Sequence, residues 1–139
     1  AVVLEASNTP GGVLSSQLGA DGSGGDLLIL PGGGSVHPAT SETVTRRLHF
    51  LRMQGREVFR FATRIMADAS RQVLDQAELQ IEDVALFVPH QANDRILQAA
   101  ARGLGVPQDR MFSILARYGN TSSASIPIAL CEAIDQGKV

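Results

Sequence analysis

The sequence predicts an α/β fold, and three observations lead there. Short apolar runs are bounded by proline, glycine or charge; helical periodicities lie between them; and polar residues stand where a run gives way to a helix. Strands alternating with helices pair in parallel through right-handed crossovers. In such sheets ligands bind beyond the carboxyl ends of the strands, where loops turn into helices.

Ala1 to Glu5 reads as a strand, and Ser7 to Gly12 (SNTPGG) as a turn, with proline fixing φ and glycines able to take positive φ. Val13 to Leu18 reads as a second strand, Gly19 to Asp26 (GADGSGGD) as a flexible loop, and Leu27 to Pro31 as a short buried strand or extended segment. From Gly32 to Thr45 glycine, serine, proline and threonine surround His37, which predicts a long irregular connection. The longest helix is expected from Met53 to about Leu79, because Val58, Phe61, Ile65, Ala69, Val73 and Ala77 recur every three or four residues and share a face. Asp83 to Pro89 (DVALFVP) is a short apolar run that predicts a central strand. Gln91 to Leu104 follows as a helix with Ile96, Leu97, Ala100, Ala101 and Leu104 inward, closed by Gly105 and Pro107. Met111 to Leu115 (MFSIL) reads as another strand. The last helix is expected over Ser122 to Gln136, with Ile126, Leu130 and Ile134 spaced at four. Its Pro127 is tolerated only in the first turn, so the helix should start between Ser123 and Ile126.

The 139 residues make about one domain, and 44% hydrophobic with 19% charged residues is the composition of a globular protein. A net charge of −2 gives no global reason to expect nucleic acid or an anionic membrane as partner. One cysteine, Cys131, excludes an internal disulfide and fits a reducing compartment. No apolar run approaches the roughly 18–20 residues of a membrane helix, no signal segment opens the chain, and a cytoplasmic location is the expectation. The chain opens inside an apolar run and stops just past a helix, at Gly137 and Lys138, so it is expected to be part of a longer protein. GADGSGGD lacks the Lys-Ser/Thr ending of a phosphate loop and the strand–glycine–helix context of a dinucleotide fingerprint.

His90 closes the run Val84 to Val88, and Asn120 follows the run Met111 to Leu115; each leads into a helix. If the two runs are neighbours, both side chains project over one edge of the sheet. A neutral imidazole N–H and an amide NH₂ are both donors, and two donors converging on a carbonyl oxygen make an oxyanion hole. Each residue alone has a plainer reading, the histidine as a structural cap and the asparagine as a turn after Gly119. His37 and His49 read as surface residues, and Cys131 as a small core hydrophobe on the last helix. No His, Cys or carboxylate pair has metal-site spacing, so neither metal nor cofactor is expected. Eleven of the 12 basic residues are arginine, and Arg56, Arg60 and Arg64 form a stripe on the long helix, as Arg95 and Arg102 do on the next. The stripe reads either as a solvated face paired in part with Glu57 and Asp68, or as a docking surface for an acidic or phosphate-bearing partner.

VPHQANDRIL (Val88 to Leu97) and YGNTSSASIPIAL (Tyr118 to Leu130) resemble the two C-terminal signatures of beta-ketoacyl-ACP synthase III, the initiating condensing enzyme of type II fatty-acid synthesis. AVVLEAS, ADGSGGDLLILPGGGS and MQGREVFRFA resemble successive segments of that family in the same order. The resemblance implies a thiolase-like layered α/β fold with a mixed sheet and packed helices, residues 1–45 ending the N-terminal half and 46–139 forming a truncated C-terminal domain. It implies a Cys-His-Asn triad in which His90 and Asn120 are two members and the cysteine lies in the other half. Phe59 would line the entry channel, Asn93 would support the His90 loop, and Arg95 would meet substrate. Arg60 and Arg102 would dock the acyl carrier protein. Acyl-CoA is the implied primer, with a homodimer as the implied assembly. Arg56 stands where some members carry asparagine. A related Cys-His-Asn acyltransferase or polyketide-starter enzyme, or a non-catalytic carrier-protein-binding domain, are the alternatives.

Overall fold

A computed structural model of the chain describes residues 3, 5–9 and 11–139. The strand expected over Ala1 to Glu5 rests largely on residues outside those described. The chain divides into two compact units, Leu18–Phe61 and Ala62–Val139, the second including the described residues up to Gln17.

In the first unit, the stretch expected to be a flexible loop forms a 3-10 turn, Gly22–Leu27, because Asp21 caps it by accepting the Ser23 N–H. It leads into β1 (Leu28–Ile29), which pairs antiparallel with β2 (Arg52–Met53), Leu28 opposite Met53. Met53 is therefore a strand residue, not the first of the long helix. The long irregular connection also contains a helix, α1 (Ser41–Thr45). Thr40 and Thr43 cap it reciprocally: Thr40 Oγ1 accepts the Thr43 N–H at 3.2 Å and Thr43 Oγ1 accepts the Thr40 N–H at 2.9 Å. Thr43 Oγ1 also lies 2.9 Å from His49 Nε2, so His49 is half-buried and engaged, not a surface residue as the sequence implied. Leu48 is buried and its carbonyl accepts the Gly32 N–H at 2.8 Å. A Cβ on Gly32 would stand 2.9 Å from that of Leu48, so the two backbones meet only because residue 32 has no side chain.

α2 (Gly55–Gln76) continues into the second unit. Its inward residue is Ala67, whereas Phe61 and Ile65, expected on the packed face, are exposed. The helix seats on small residues: a Cβ on Gly103 would lie 3.6 Å from that of Ala67, and Ala67 packs with Leu104 and Val106. Val13 to Leu18 forms no strand; Val13, Leu14 and Leu18 are exposed, and Ser15 Oγ donates to the Val73 carbonyl at 2.6 Å.

The run Asp83 to Pro89 is reduced to one parallel bridge, Phe87 with Met111. Phe87 N–H donates to Arg110 O at 2.8 Å, and Phe112 N–H to Phe87 O at 2.9 Å. The partner run leaves the ladder after Phe112 and turns helical in α4 (Leu115–Tyr118), so MFSIL is not a strand throughout. α3 (Asp94–Leu104) buries Ile96, Leu97, Ala100, Ala101 and Leu104, the five residues read as inward. Its start falls at Asp94, not Gln91, because Asn93 Oδ1 accepts the Ile96 N–H at 3.0 Å and fixes the cap there. Gly105, left-handed at φ 78°, ends it as expected.

α5 (Ser125–Asp135) follows a 3-10 turn, Ser122–Ala124, and Pro127 falls in its first turn as the sequence required. The face is reversed, however. Ile126, Leu130 and Ile134 are 44%, 38% and 55% exposed, and the packed face is Ser125, Ala129 and Ala133. Cys131 is likewise exposed, not in the core. Among the described residues no helix is long and apolar enough to cross a membrane, and no three His, Cys, Asp or Glu cluster as for a metal.

Candidate functional site

The second unit brings the two strand-to-helix junctions together through the Phe87–Met111 bridge, so the runs ending at His90 and leading to Asn120 are neighbours. What locks the junctions is Gln91, fully buried. Its Nε2 donates to Pro89 O at 2.9 Å and Phe112 O at 3.1 Å, and its Oε1 accepts the Ile114 N–H at 2.9 Å. One amide thus satisfies three backbone groups of two segments that leave the ladder, which would otherwise be buried without partners.

His90 is half-buried beside α5. Its Nδ1 lies 2.6 Å from Ser125 Oγ, and the same hydroxyl accepts the Gln91 N–H at 3.2 Å. A cavity of about 300 Å³ opens there, lined by His90, Ser122, Ser123, Ser125 and Ile126. A second of similar volume, largely apolar, has His90 at one end and Met66, Phe87, Ala100 and Leu104 among its walls. Neither Gln91 nor Ser125 was singled out by the sequence. Little in the local sequence marks them, since most of their partners lie 21 to 35 residues away.

Asn120 is exposed and set by the backbone before and after it. Gly119 has φ 64° and ψ −153°, a region essentially open to glycine alone. Asn120 Oδ1 accepts the Ser122 N–H at 2.9 Å, which fixes which end of the carboxamide is oxygen and leaves its NH₂ without a partner among the described residues. α4 and α5 are clamped across this turn: Tyr118 hydroxyl donates to Glu132 Oε1 at 2.6 Å, and Arg117 pairs with the other carboxylate oxygen. The Tyr118 hydroxyl is pushed up chiefly by that bond, and the Glu132 carboxyl is held below the usual range chiefly by the same bond, with burial opposing and Arg117 assisting.

Asn93 caps α3 three residues after His90, and Arg95 and Arg102 are exposed on the same helix. Phe59 and Arg60 belong to the first unit, where both are exposed and Arg60 pairs with Glu57 at 3.1 Å. Asp68 pairs with Arg71, not with the stripe.

The sequence profile of the family described as 3-Oxoacyl-[acyl-carrier-protein (ACP)] synthase III C terminal matches residues 74–139. The beta-ketoacyl-[acyl-carrier-protein] synthase III of Desulfitobacterium hafniense is 49% identical over all 139 residues. Over its whole length the chain is similar to the C-terminal part of 3-oxoacyl-ACP synthase III. The synthase III of Roseiflexus castenholzii is 51% identical over the same span, and the chain covers 42% of the length of each of these relatives. The crystal structure of 3-oxoacyl-[acyl-carrier-protein] synthase III from Aquifex aeolicus superposes with a TM-score of 0.80 at 41% identity, over 96% of this chain and 39% of that one. The thiolase-like α/β fold of the synthase III family is therefore the fold of this chain, in its C-terminal part.

Proposed function

We propose that this chain is part of a beta-ketoacyl-ACP synthase III, which starts fatty-acid synthesis by decarboxylative Claisen condensation of a short acyl-CoA primer with malonyl-ACP. On this reading a cysteine outside the chain carries the acyl primer, and His90 and Asn120 donate to the thioester oxygen of malonyl-ACP. As the bond to the carboxylate breaks and carbon dioxide leaves, the electron pair passes into an enolate, and the two donors stabilise its oxygen. The enolate carbon then attacks the acyl-cysteine carbonyl, forming the carbon–carbon bond and expelling the thiolate. No cofactor takes part.

The observation that carries the reading is the turn at Asn120. Its carboxamide oxygen is occupied by the Ser122 N–H, so its free function is that of a donor, as an oxyanion site requires. His90 stands at the junction paired to it by the Phe87–Met111 bridge. Phe59 lines the entry for the pantetheine arm, Asn93 holds the His90 loop by capping α3, and Arg95 meets the substrate. Arg60 and Arg102 present charge to the acidic carrier protein. Residues 1–45 close the preceding half of a cytoplasmic homodimer, and 46–139 form the C-terminal domain. The test is a single-turnover assay on the full-length protein that separates acyl transfer from carbon dioxide release. Normal carbon dioxide release by both His90→Ala and Asn120→Ala would overturn the reading.

A further inference from the structure

We infer that Ser125 is a positioning residue that fixes the tautomer of His90, placing the ring proton on Nε2. A serine hydroxyl has one proton and two lone pairs. The Gln91 N–H can only donate, so it occupies a lone pair of Ser125 Oγ at 3.2 Å. The hydroxyl proton then needs an acceptor. Ser125 is fully buried, and His90 Nδ1, at 2.6 Å, is its only other polar partner among the described residues. Were Nδ1 to carry the proton, the hydroxyl would receive two donors and its own hydrogen would be buried without a partner. With Nδ1 bare, every group is paired, as buried polar groups almost always are.

This inference rests on the proposed condensation for its catalytic meaning, and it adds the device that makes His90 a donor. A neutral imidazole is a donor at one nitrogen and an acceptor at the other, and the hydrogen bond at one decides the role of the other. Nε2 has no described partner, so Ser125 leaves it as an N–H free for the thioester oxygen. Ser125 is itself held in place: it is the first residue of α5, seated on the packed face with Ala129 and Ala133, and Gln91 is anchored at three further points. The geometry of one hydroxyl thus connects the α5 start to the ring orientation.

The test is a two-bond proton–nitrogen correlation spectrum of the full-length protein, ¹⁵N-labelled in histidine, at a pH where the imidazole is neutral; a His90→Gln sample assigns the signal. The expected pattern is a protonated Nε2 and a bare Nδ1. A protonated Nδ1 overturns the inference whatever the activity, whereas loss of the condensation reading alone would leave the pattern unchanged. In Ser125→Ala the ring should show a mixture of tautomers, with kcat for decarboxylation down on the order of 10–100-fold and KM little changed. An unaltered tautomer in that variant also overturns it. Ser125→Thr, which keeps the hydroxyl, should restore the Nε2 form, and a mixed pattern in a folded Ser125→Thr would count against it.

Discussion

Tyr118 donates its hydroxyl to Glu132 across the turn that carries Asn120, at 2.6 Å. The bond ties the C-terminal end of α4 to the middle of α5, with Arg117 on the other carboxylate oxygen and its guanidinium carbon 5.0 Å from the Tyr118 ring centre. The turn is thereby bracketed by a contact whose strength depends on two ionisable groups.

That contact sets a pH window. Glu132 is lowered in the folded state, so its contribution is present above the ordinary glutamate value and is lost as pH falls through the lowered one. Tyr118 is raised, so its contribution is present below the ordinary phenol value and is lost as pH rises through the raised one. The melting temperature of Glu132→Gln should therefore lie below that of wild type at neutral pH. The two curves should converge on acidification, because protonated glutamate and glutamine are both uncharged, each with a carbonyl acceptor at one end and a donor at the other. Parallel curves down to the acid edge would refute the assignment.

Gln91→Ala should be among the most damaging single changes. It strips partners from Pro89 O, Phe112 O and Ile114 N at a buried site, and each orphaned group costs about 1–3 kcal/mol. A loss of at least ~3 kcal/mol is expected in urea unfolding, with the slope little changed.

Gly119→Ala isolates backbone conformation from packing. A Cβ at residue 119 meets nothing within 4 Å, so no clash arises, but φ 64° with ψ −153° is strained for alanine by on the order of 1–3 kcal/mol. Relief of that strain should re-aim Asn120. Decarboxylation should fall while primer acylation persists, and equal loss of both in a stopped assay would contradict the placement.

Asn120→Ala and His90→Ala should each slow malonyl decarboxylation by on the order of 100–1000-fold, the usual cost of one oxyanion donor. The double variant should be far from additive, because both residues serve one charge. Primer acylation should survive in Asn120→Ala.

Arg95→Ala should behave differently. Arg95 is exposed on α3, so its loss should raise the KM for the carrier-protein substrate, more at low salt than at high, and leave turnover at saturation nearly intact. A fall in kcat with KM unchanged would place Arg95 in the chemistry instead.

How far the sequence could be read is best seen by setting α3 beside α5. On α3 the apolar residues occupy one side and arginines the other, so periodicity alone identified Ile96, Leu97, Ala100, Ala101 and Leu104. α5 is apolar nearly all round, and there periodicity defines stripes without saying which one is packed. The bulky stripe of Ile126, Leu130 and Ile134 looked inward, yet the close contacts are made by Ser125, Ala129 and Ala133, whose small side chains admit a near neighbour. Apolar runs likewise marked where the chain is extended at Phe87 and Met111 but not how long a ladder they form, which depends on partners elsewhere. His90 and Asn120 stood out because they sit at junctions. Gln91 and Ser125 did not, because their value comes from groups far along the chain. The strand at Met53 and the helix inside the Gly32 to Thr45 connection escape the sequence for a local reason: strand pairing and a Thr-for-Glu cap leave little trace in composition.

The sequence separations inside the site have a kinetic consequence. The bonds from His90 to Ser125 and from Ile114 to Gln91 join positions 35 and 23 residues apart, whereas α3 is built from contacts one turn apart. Local contacts form at little entropic cost and distant ones only after the chain between them is ordered. The helix should therefore be in place before the junctions knit, and in the native ensemble the junctions should open before the helix melts. In native-state hydrogen exchange the amides of Gln91 and Ile114 should exchange through a lower-energy opening than those of Leu97 and Ala101. The bonds that hold the His90 junction are then set after α3 during folding and released before it melts.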